Sequence, residues 1–349
     1  MKAFAGDTVL SSDISAILHN LGEVTFQEKT VLVTGGAGFL GSWMCEVLVS
    51  QGAKVTCLDN LSSGLEANIS HLLGNENFEF IKQDITKPFH LERKIDLVLH
   101  LASRASPFEF ETFPIEILKA NTLGTLNALE IARQHKAKFL FTSTSEVYGN
   151  PSAVPTPESY YGNVNPIGVR GCYDESKRCG EAYVVAYGKQ YDLDIRIARI
   201  FNTYGPRMRA DGIYGRVVPR FISQALNRQP ITVFGNGKQT RSFCYVTDQV
   251  EGLLRFAFSG RARGELVNIG NEEETTVIDL AKMIKTLTGS ASEITFYPLP
   301  QDDPLRRCPD ITKAKEILEW KPRVKLEQGL RKTINWLREF PASTPEKGT

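Results

Sequence analysis

The stretch Thr30-Val-Leu-Val-Thr-Gly35-Gly-Ala-Gly38-Phe-Leu-Gly41 decides the fold. Its apolar run reads as a buried strand, the glycines turn the chain, and residues 42–51 read as a helix. In that context Gly35 permits the tight turn, Gly38 lets backbone approach a pyrophosphate, and Gly41 lets helix pack on strand. The helix N-terminus then faces the phosphates. Glycine that merely turns the chain is the competing reading, and the position between strand and helix speaks against it. Phe39 and Leu40 belong to the same set.

Outward from this turn, strands and helices alternate, which argues for a parallel sheet covered on both faces. A strand over Lys54–Leu58 ends in Asp59, 18 positions after Gly41. A carboxylate there accepts ribose hydroxyls and repels a 2'-phosphate, so NAD is expected rather than NADP. Asn60 follows it. Further strands are expected at Phe78–Lys82, ending near Asp84 and Ile85, and at Ile95–Leu101, ending near Ser103. Asp84 and Ile85 would flank the adenine, and Leu101 and Ser103 the cofactor path. Strands at Lys138–Thr142 and Ile195–Ile200 complete a doubly wound α/β order, a Rossmann sheet with a smaller C-terminal lobe. The expected division is an N-terminal extension at 1–27, a cofactor domain at 28–200, and a substrate lobe at 201–335. Part of 240–270 returns to the main sheet, and 341–349 is a frayed tail. In the extension, Ser12 or Asp13 is expected to cap a helix with Ile14, Ile17, Leu18 and Leu21 on one face.

Composition excludes several classes. Lys and Arg number 41 against 40 Asp and Glu, so no global charge favours nucleic acid or an anionic membrane. The six cysteines form no Cys-x-x-Cys pair, which suits reduced thiols in a cytoplasm, and the five histidines lack metal-ligand spacing. No metal is expected. No apolar run reaches the roughly 18 residues that span a bilayer.

Tyr173-Asp-Glu-Ser-Lys177 carries the chemistry. A tyrosine four residues ahead of a lysine shares its helix face, so the ammonium can lower the phenol's pKa and make it a base. Thr144 leaves a strand end opposite and can hold a substrate alcohol against that base. A solvated Tyr/Lys pair would look the same in isolation. With the glycine spacing Gly-x-x-Gly-x-x-Gly beside it, the chain resembles the extended short-chain dehydrogenase/reductase family. In that resemblance Lys177 also holds the nicotinamide ribose.

The resemblance narrows at 162–168, 171–178, 199–208, 215–218, 239–243 and 302–310, stretches that look like the UDP-glucuronate decarboxylase (UDP-xylose synthase) group. It runs from about residue 28 to 335. It implies a UDP-glucuronate substrate, oxidation at C4, loss of carbon dioxide from the resulting β-keto acid, and return of the hydride. Tyr173, Lys177, Thr144, Ser145, Glu146 and Arg307 would be the catalytic set. A nucleoside diphosphate is best met by guanidinium forks and amide donors. Arg241, Arg307 and Asn202 are the candidates, followed by Arg207, Gln239 and Val217. Glu146 either sits near the substrate carboxylate and raises its ground-state energy, or orients a water or Arg307; a structural pair with an arginine is the alternative.

One residue departs from the group. Arg104 stands where many decarboxylases have proline, which places a guanidinium near the sugar or the pyrophosphate. Lys119 and Asn121 are expected in the same cleft. Helices at about 115–135 and 173–191 resemble the pair that builds a homodimer interface in this family, with Ala128, Ala132, Ala182 and Ala186 permitting close approach, though small residues also suit packing on the sheet. A UDP-sugar 4-epimerase is the alternative enzyme. A dTDP-glucose 4,6-dehydratase-type lyase and a non-catalytic dinucleotide sensor stand further off, since both Tyr173 and Lys177 are present.

Overall fold

The computed structural model describes residues 7–210 and 216–340. The expectations for Gly215 and for the tail at 341–349 lie outside the described residues. Six strands form early: β1 (Thr30–Thr34), β2 (Lys54–Asp59), β3 (Phe78–Lys82), β4 (Leu97–His100), β5 (Lys138–Thr144) and β6 (Ile195–Ile200). Beyond them the strands shorten: β7 (Thr203–Tyr204), β8 (Ile231–Phe234), β9 (Thr240–Ser242), β10 (Cys244–Tyr245), β11 (Leu266–Ile269), β12 (Glu274–Thr276), β13 (Ile294–Tyr297) and β14 (Arg306–Arg307). The helices are α1 (Thr8–Leu21), α2 (Phe39–Ser50), α3 (Pro107–Thr112), α4 (Pro114–His135), α5 (Gly171–Tyr191), α6 (Val217–Leu226), α7 (Val246–Phe258), α8 (Val277–Thr288), α9 (Thr312–Leu318) and α10 (Leu326–Glu339).

The main sheet has seven strands in the order β11-β6-β5-β4-β1-β2-β3, and every pairing in it is parallel. β1 is buried along its whole length, as an interior parallel strand requires. The order reverses between β1 and β4, and ligands of doubly wound sheets sit in the crevice at that switch point. One face is covered by α2 and α7 with Trp43, Leu48, Val250 and Leu254. The other carries α4 and α5 with Ala128, Leu129, Ala132 and Val184. Ala128 and Ala132 are therefore spent on the core of this chain, whereas Ala182 and Ala186 are exposed on α5. That corrects half of the expected small-residue interface.

The N-terminal helix is longer than expected and is capped elsewhere. Asp7 accepts from the amides of Val9 and Leu10, at 2.7 and 3.1 Å. Asp13 lies inside α1, fully buried, where it accepts from the Tyr245 hydroxyl at 2.5 Å and pairs with Lys332. A buried carboxylate needs such partners, so α1 is bolted to β10 and α10. No helix among the described residues is long and apolar enough to cross a membrane.

Candidate active site

The turn after β1 is shaped for backbone approach. Gly35 has φ +70°, and a Cβ on it would stand 2.8 Å from the Ala102 backbone, so only glycine lets the loop after β4 lie this close. Gly38 is the N-cap of α2 and brings no capping side chain, which leaves the first helical amides open to an anion. Phe39 and Leu40 form the first turn, half-buried. Asp59 ends β2, with its two oxygens accepting from the amides of Ala37 at 3.0 Å and Leu61 at 2.8 Å. Burial raises its carboxyl, and the two amides fix its orientation while leaving lone pairs for hydroxyls. Asn60 closes a turn by accepting from Ser62 N. These residues fit a dinucleotide whose ribose lies at Asp59 and whose pyrophosphate lies on the α2 N-terminus. Asp84 accepts from Thr86 N in a local turn after β3, and the Ile85 carbonyl accepts from Asn127 of α4. Leu101 is half-buried, and the Ser103 hydroxyl lies 3.4 Å from the Arg104 carbonyl.

α5 carries Tyr173 and Lys177 into the interior. The Tyr173 ring stacks on Phe110 with centroids 5.0 Å apart, and its hydroxyl faces the Thr144 side chain at the end of β5. The expected lowering of the phenol by Lys177 is absent. Burial pushes Tyr173 up to about 12, with Arg216 the main opposing charge. Lys177 instead donates to the Thr142 carbonyl at 2.9 Å, with its Nζ 4.9 Å from the centre of the Phe141 ring. Burial drops its ammonium to about 7. Helix spacing sets the shared face, but desolvation of both groups outweighs their mutual field. His100 lies close by, with Nδ1 2.7 Å from Thr34 Oγ1 and Nε2 3.1 Å from Thr125 Oγ1. Burial, then the Lys177 charge, lowers it to about 3.

Ser145 and Glu146 open a 3-10 turn, Ser145–Tyr148, directly after β5, where the Thr144 hydroxyl accepts from Glu146 N at 3.3 Å. Glu146 is gripped from two sides. Arg307 meets it with both Nη groups, the Nη2 to Oε2 contact being 2.7 Å, and Arg170 pairs with Oε2. Burial acts to raise this carboxyl, but the two guanidiniums outweigh it and hold it down to about 2. Beside it Asp174 is driven up to about 7 by burial and the Glu146 charge, against Arg170. The parallel pairing of β9 with β14 puts Arg241 opposite Arg307. Arg241 is held by Asp303 at 2.9 Å. Asn202 keeps a buried Nδ2 with no hydrogen-bond partner among the described residues, and Val217 starts α6, half-buried.

Other expected site residues lie elsewhere. Arg207 is buried over Trp43, 4.9 Å from the ring centre, and pairs with Glu46 of α2. Gln239 donates to the Phe234 carbonyl at 2.7 Å, which uses its amide in the β8–β9 connection. Asn121 is buried and donates to Ser176 at 2.9 Å, tying α4 to α5 instead of lining the cleft. Lys119 is two residues from both Ile117 and Asn121, hence on the opposite, exposed side of α4. Arg104 does not join Arg241 and Arg307; it pairs with Glu109 at 2.6 Å and donates to the Ser62 carbonyl at 3.1 Å.

Sequence reading missed Arg170, Asp174 and Asp303. Arg170 carried a signal: it is the N-cap of α5, the end of a helix where a cation is unfavourable, so it needed a carboxylate nearby.

Comparison with known proteins gives the same picture. Residues 31–270 match the NAD dependent epimerase/dehydratase family. UDP-glucuronic acid decarboxylase 1 of Xenopus tropicalis is 49% identical over 311 residues, covering 89% of this chain and 72% of that protein. UDP-glucuronic acid decarboxylase 4 of Arabidopsis thaliana is 48% identical over 309 residues, covering 88% and 68%. Among solved structures, the UDP-glucuronic acid 4-epimerase of Bacillus cereus, in complex with UDP-glucuronic acid and NAD, superposes with a TM-score of 0.80. It is 30% identical, and the match covers 89% of this chain and 99% of that one.

Proposed function

Because this chain belongs to the NAD dependent epimerase/dehydratase family, we propose that it is an NAD-dependent decarboxylase that converts UDP-glucuronate to UDP-xylose through a 4-keto intermediate. The observation that carries the reading is the Arg170–Glu146–Arg307 bridge next to the Tyr173–Thr144 pair, in a chain whose decarboxylase relatives stand at 49% and 48% identity. The 4-epimerase superposes well at 30% identity but is the more distant relative.

Gly35, Gly38, Gly41, Asp59 and the α2 N-terminus would hold NAD, and residues 28–200 would form its domain. Bound there, NAD supplies a reversible hydride acceptor for C4 of the sugar. Tyr173 would take the C4 hydroxyl proton as its phenolate, a form that Arg216 and the positive ring of a bound nicotinamide favour against the burial that otherwise holds the phenol up to about 12, with Thr144 holding the same hydroxyl. The C4 ketone makes the C6 carboxylate a β-keto acid. The C5–C6 bond then breaks, its electron pair passes into an enolate through C4, and carbon dioxide leaves. A proton from solvent water adds at C5 and restores the ketone, and Tyr173 would return its proton to O4 as the hydride comes back. Glu146, kept ionised by its two arginines, donates no proton at neutral pH; it fixes Arg307 and Arg170 at the carboxylate end of the sugar. Arg241 and Asn202 would meet the uridine diphosphate in the lobe at 201–335.

We assign the working form as a homodimer through α4 and α5, whose Ile115, Leu123, Val185 and Tyr191 are exposed apolar side chains. Monodisperse monomer in light scattering would remove that assignment. The six free cysteines suit a reducing compartment, and we place the protein in the cytoplasm. Incubation with UDP-glucuronate and NAD, followed by NMR and mass spectrometry, tests the function. Loss of one carbon dioxide without net NADH is expected. Product of unchanged mass with inverted C4 would make the protein a 4-epimerase.

A further inference from the structure

Two loops flank the cofactor turn, and an arginine joins them. The loop after β4 lies on the turn through the Ala102–Gly35 approach. The loop after β2 doubles back on its own carboxylate: a Cβ on Gly64 would stand 2.8 Å from Asp59 Oδ2, so Ser62 and Ser63 lie beside the ribose position. Arg104 leaves the first loop and donates through Nη2 to the Ser62 carbonyl in the second. Its other end is anchored by Glu109 of α3 at 2.6 Å and by the Phe113 ring, with centroid 4.6 Å from the guanidinium carbon. The segment after β7 adds a second tie, Arg209 Nη1 to the Ser63 carbonyl at 3.1 Å, and Arg216 reaches the Ala105 carbonyl at 3.3 Å. The bridge therefore stands beside Asp59 and Ala37 of the glycine turn, where a dinucleotide held by Asp59 and the α2 N-terminus would run alongside it.

Resting on the NAD reading above, we propose that Arg104 is a cofactor-retaining residue that closes the loop after β4 over the loop after β2 and sets its guanidinium against the dinucleotide pyrophosphate. The guanidinium has five N–H donors, and the contacts with Glu109 and Ser62 leave donors for phosphate oxygens. Glu109 fixes its orientation, so little rotamer freedom is lost when the anion arrives. Retention suits the reaction, because the hydride lent at C4 must be returned by the same cofactor before the keto sugar leaves.

The test uses the whole protein loaded with NAD and no sugar nucleotide. NAD dissociation is followed by stopped-flow displacement, and the nucleotide that survives gel filtration is measured after acid release. Loss of a charge-assisted contact should make dissociation about tenfold faster in Arg104→Ala. Glu109→Gln, which keeps the guanidinium but frees it, should fall between that variant and wild type. Arg104→Ala should also weaken ADP, which carries a diphosphate, far more than adenosine, which does not. Dissociation within twofold of wild type in a folded Arg104→Ala, or equal weakening of ADP and adenosine, overturns the proposal. Should Arg104→Ala fail to fold, a wild-type rate in Glu109→Gln overturns it. A failure of the decarboxylase reading changes none of these values, since the sugar is absent.

Discussion

Replacing Glu146 by glutamine, Arg307 by glutamine, and both together probes the charge bridge directly. The Glu146 side chain is 14% exposed and that of Arg307 is 6% exposed, so screening by water is weak. The carboxyl falls from 4.5 to about 2, and at about 1.4 kcal/mol per unit this corresponds to roughly 3 kcal/mol of stabilisation of the ionised form. The folded pKa is depressed, so this stability is fully present above about pH 4.5 and is lost as pH falls toward 2. Glu146→Gln removes it, strands Arg307 and leaves Arg170 only Asp174, 3.9 Å away, so the loss should approach the roughly 3 to 5 kcal/mol of a broken buried pair. Arg307→Gln leaves Glu146 with Arg170 and costs less. The double variant should lose about 1 to 3 kcal/mol less than the sum of the single losses, because the second substitution removes a charge that the first stranded. Urea unfolding at pH 7 and again at pH 4 measures the cycle, and NMR of UDP-xylose formation follows activity in parallel. Glu146→Gln should slow turnover by about a hundredfold or more, equivalent to about 2.7 kcal/mol in the barrier. Additive single losses, an acid limb as steep in Glu146→Gln as in wild type, or full activity in both single variants would refute the reasoning.

Tyr173→Phe should abolish turnover while NAD still binds, since the ring and its stacking on Phe110 survive; turnover within tenfold of wild type would assign the proton transfer elsewhere. His100 is buried and held down to about 3, so the unfolded chain binds its proton first as pH drops below 6.5. Stability should therefore decline by up to about 1.4 kcal/mol per pH unit between 6.5 and 3, and His100→Asn should flatten that part of the melting-temperature profile. Asp13→Ala should lower the melting temperature and raise proteolysis within α1, because Tyr245 and Lys332 lose their buried partner; an unchanged melt would mean that α1 is held by its apolar face alone.

The fold was legible where local chemistry decides it. The apolar run at Thr30–Thr34, the glycines that follow it and the alternation downstream set strand, turn and helix from neighbours in the chain, and β1, β3 and β6 begin and end where the pattern places them. The N-terminal helix was harder to bound. Asp13 looks like a cap, yet it is a buried acid paired with Lys332, a residue from the far end of the sequence. Ala128 and Ala132 look like interface residues, yet the sheet claims them. In both cases a tertiary partner overrides a local preference.

By itself the sequence determined the doubly wound sheet, the glycine turn between β1 and α2, Asp59 at the end of β2, and the Tyr173/Lys177 face, because each depends on patterns among near neighbours in the chain. Only the tertiary structure decided the charges. That Tyr173 is raised and Lys177 lowered follows from desolvation, which no spacing reveals. Glu146 is bracketed because Arg170 stands at the start of α5 while Arg307, on β14 and 161 residues away in the chain, is brought to the turn after β5. Arg104, read as a substrate arginine, turns toward Ser62 because Glu109 and Phe113 hold it there. Secondary structure is written in near neighbours, whereas electrostatics in a buried cleft depends on which distant side chains share it and how much water they exclude.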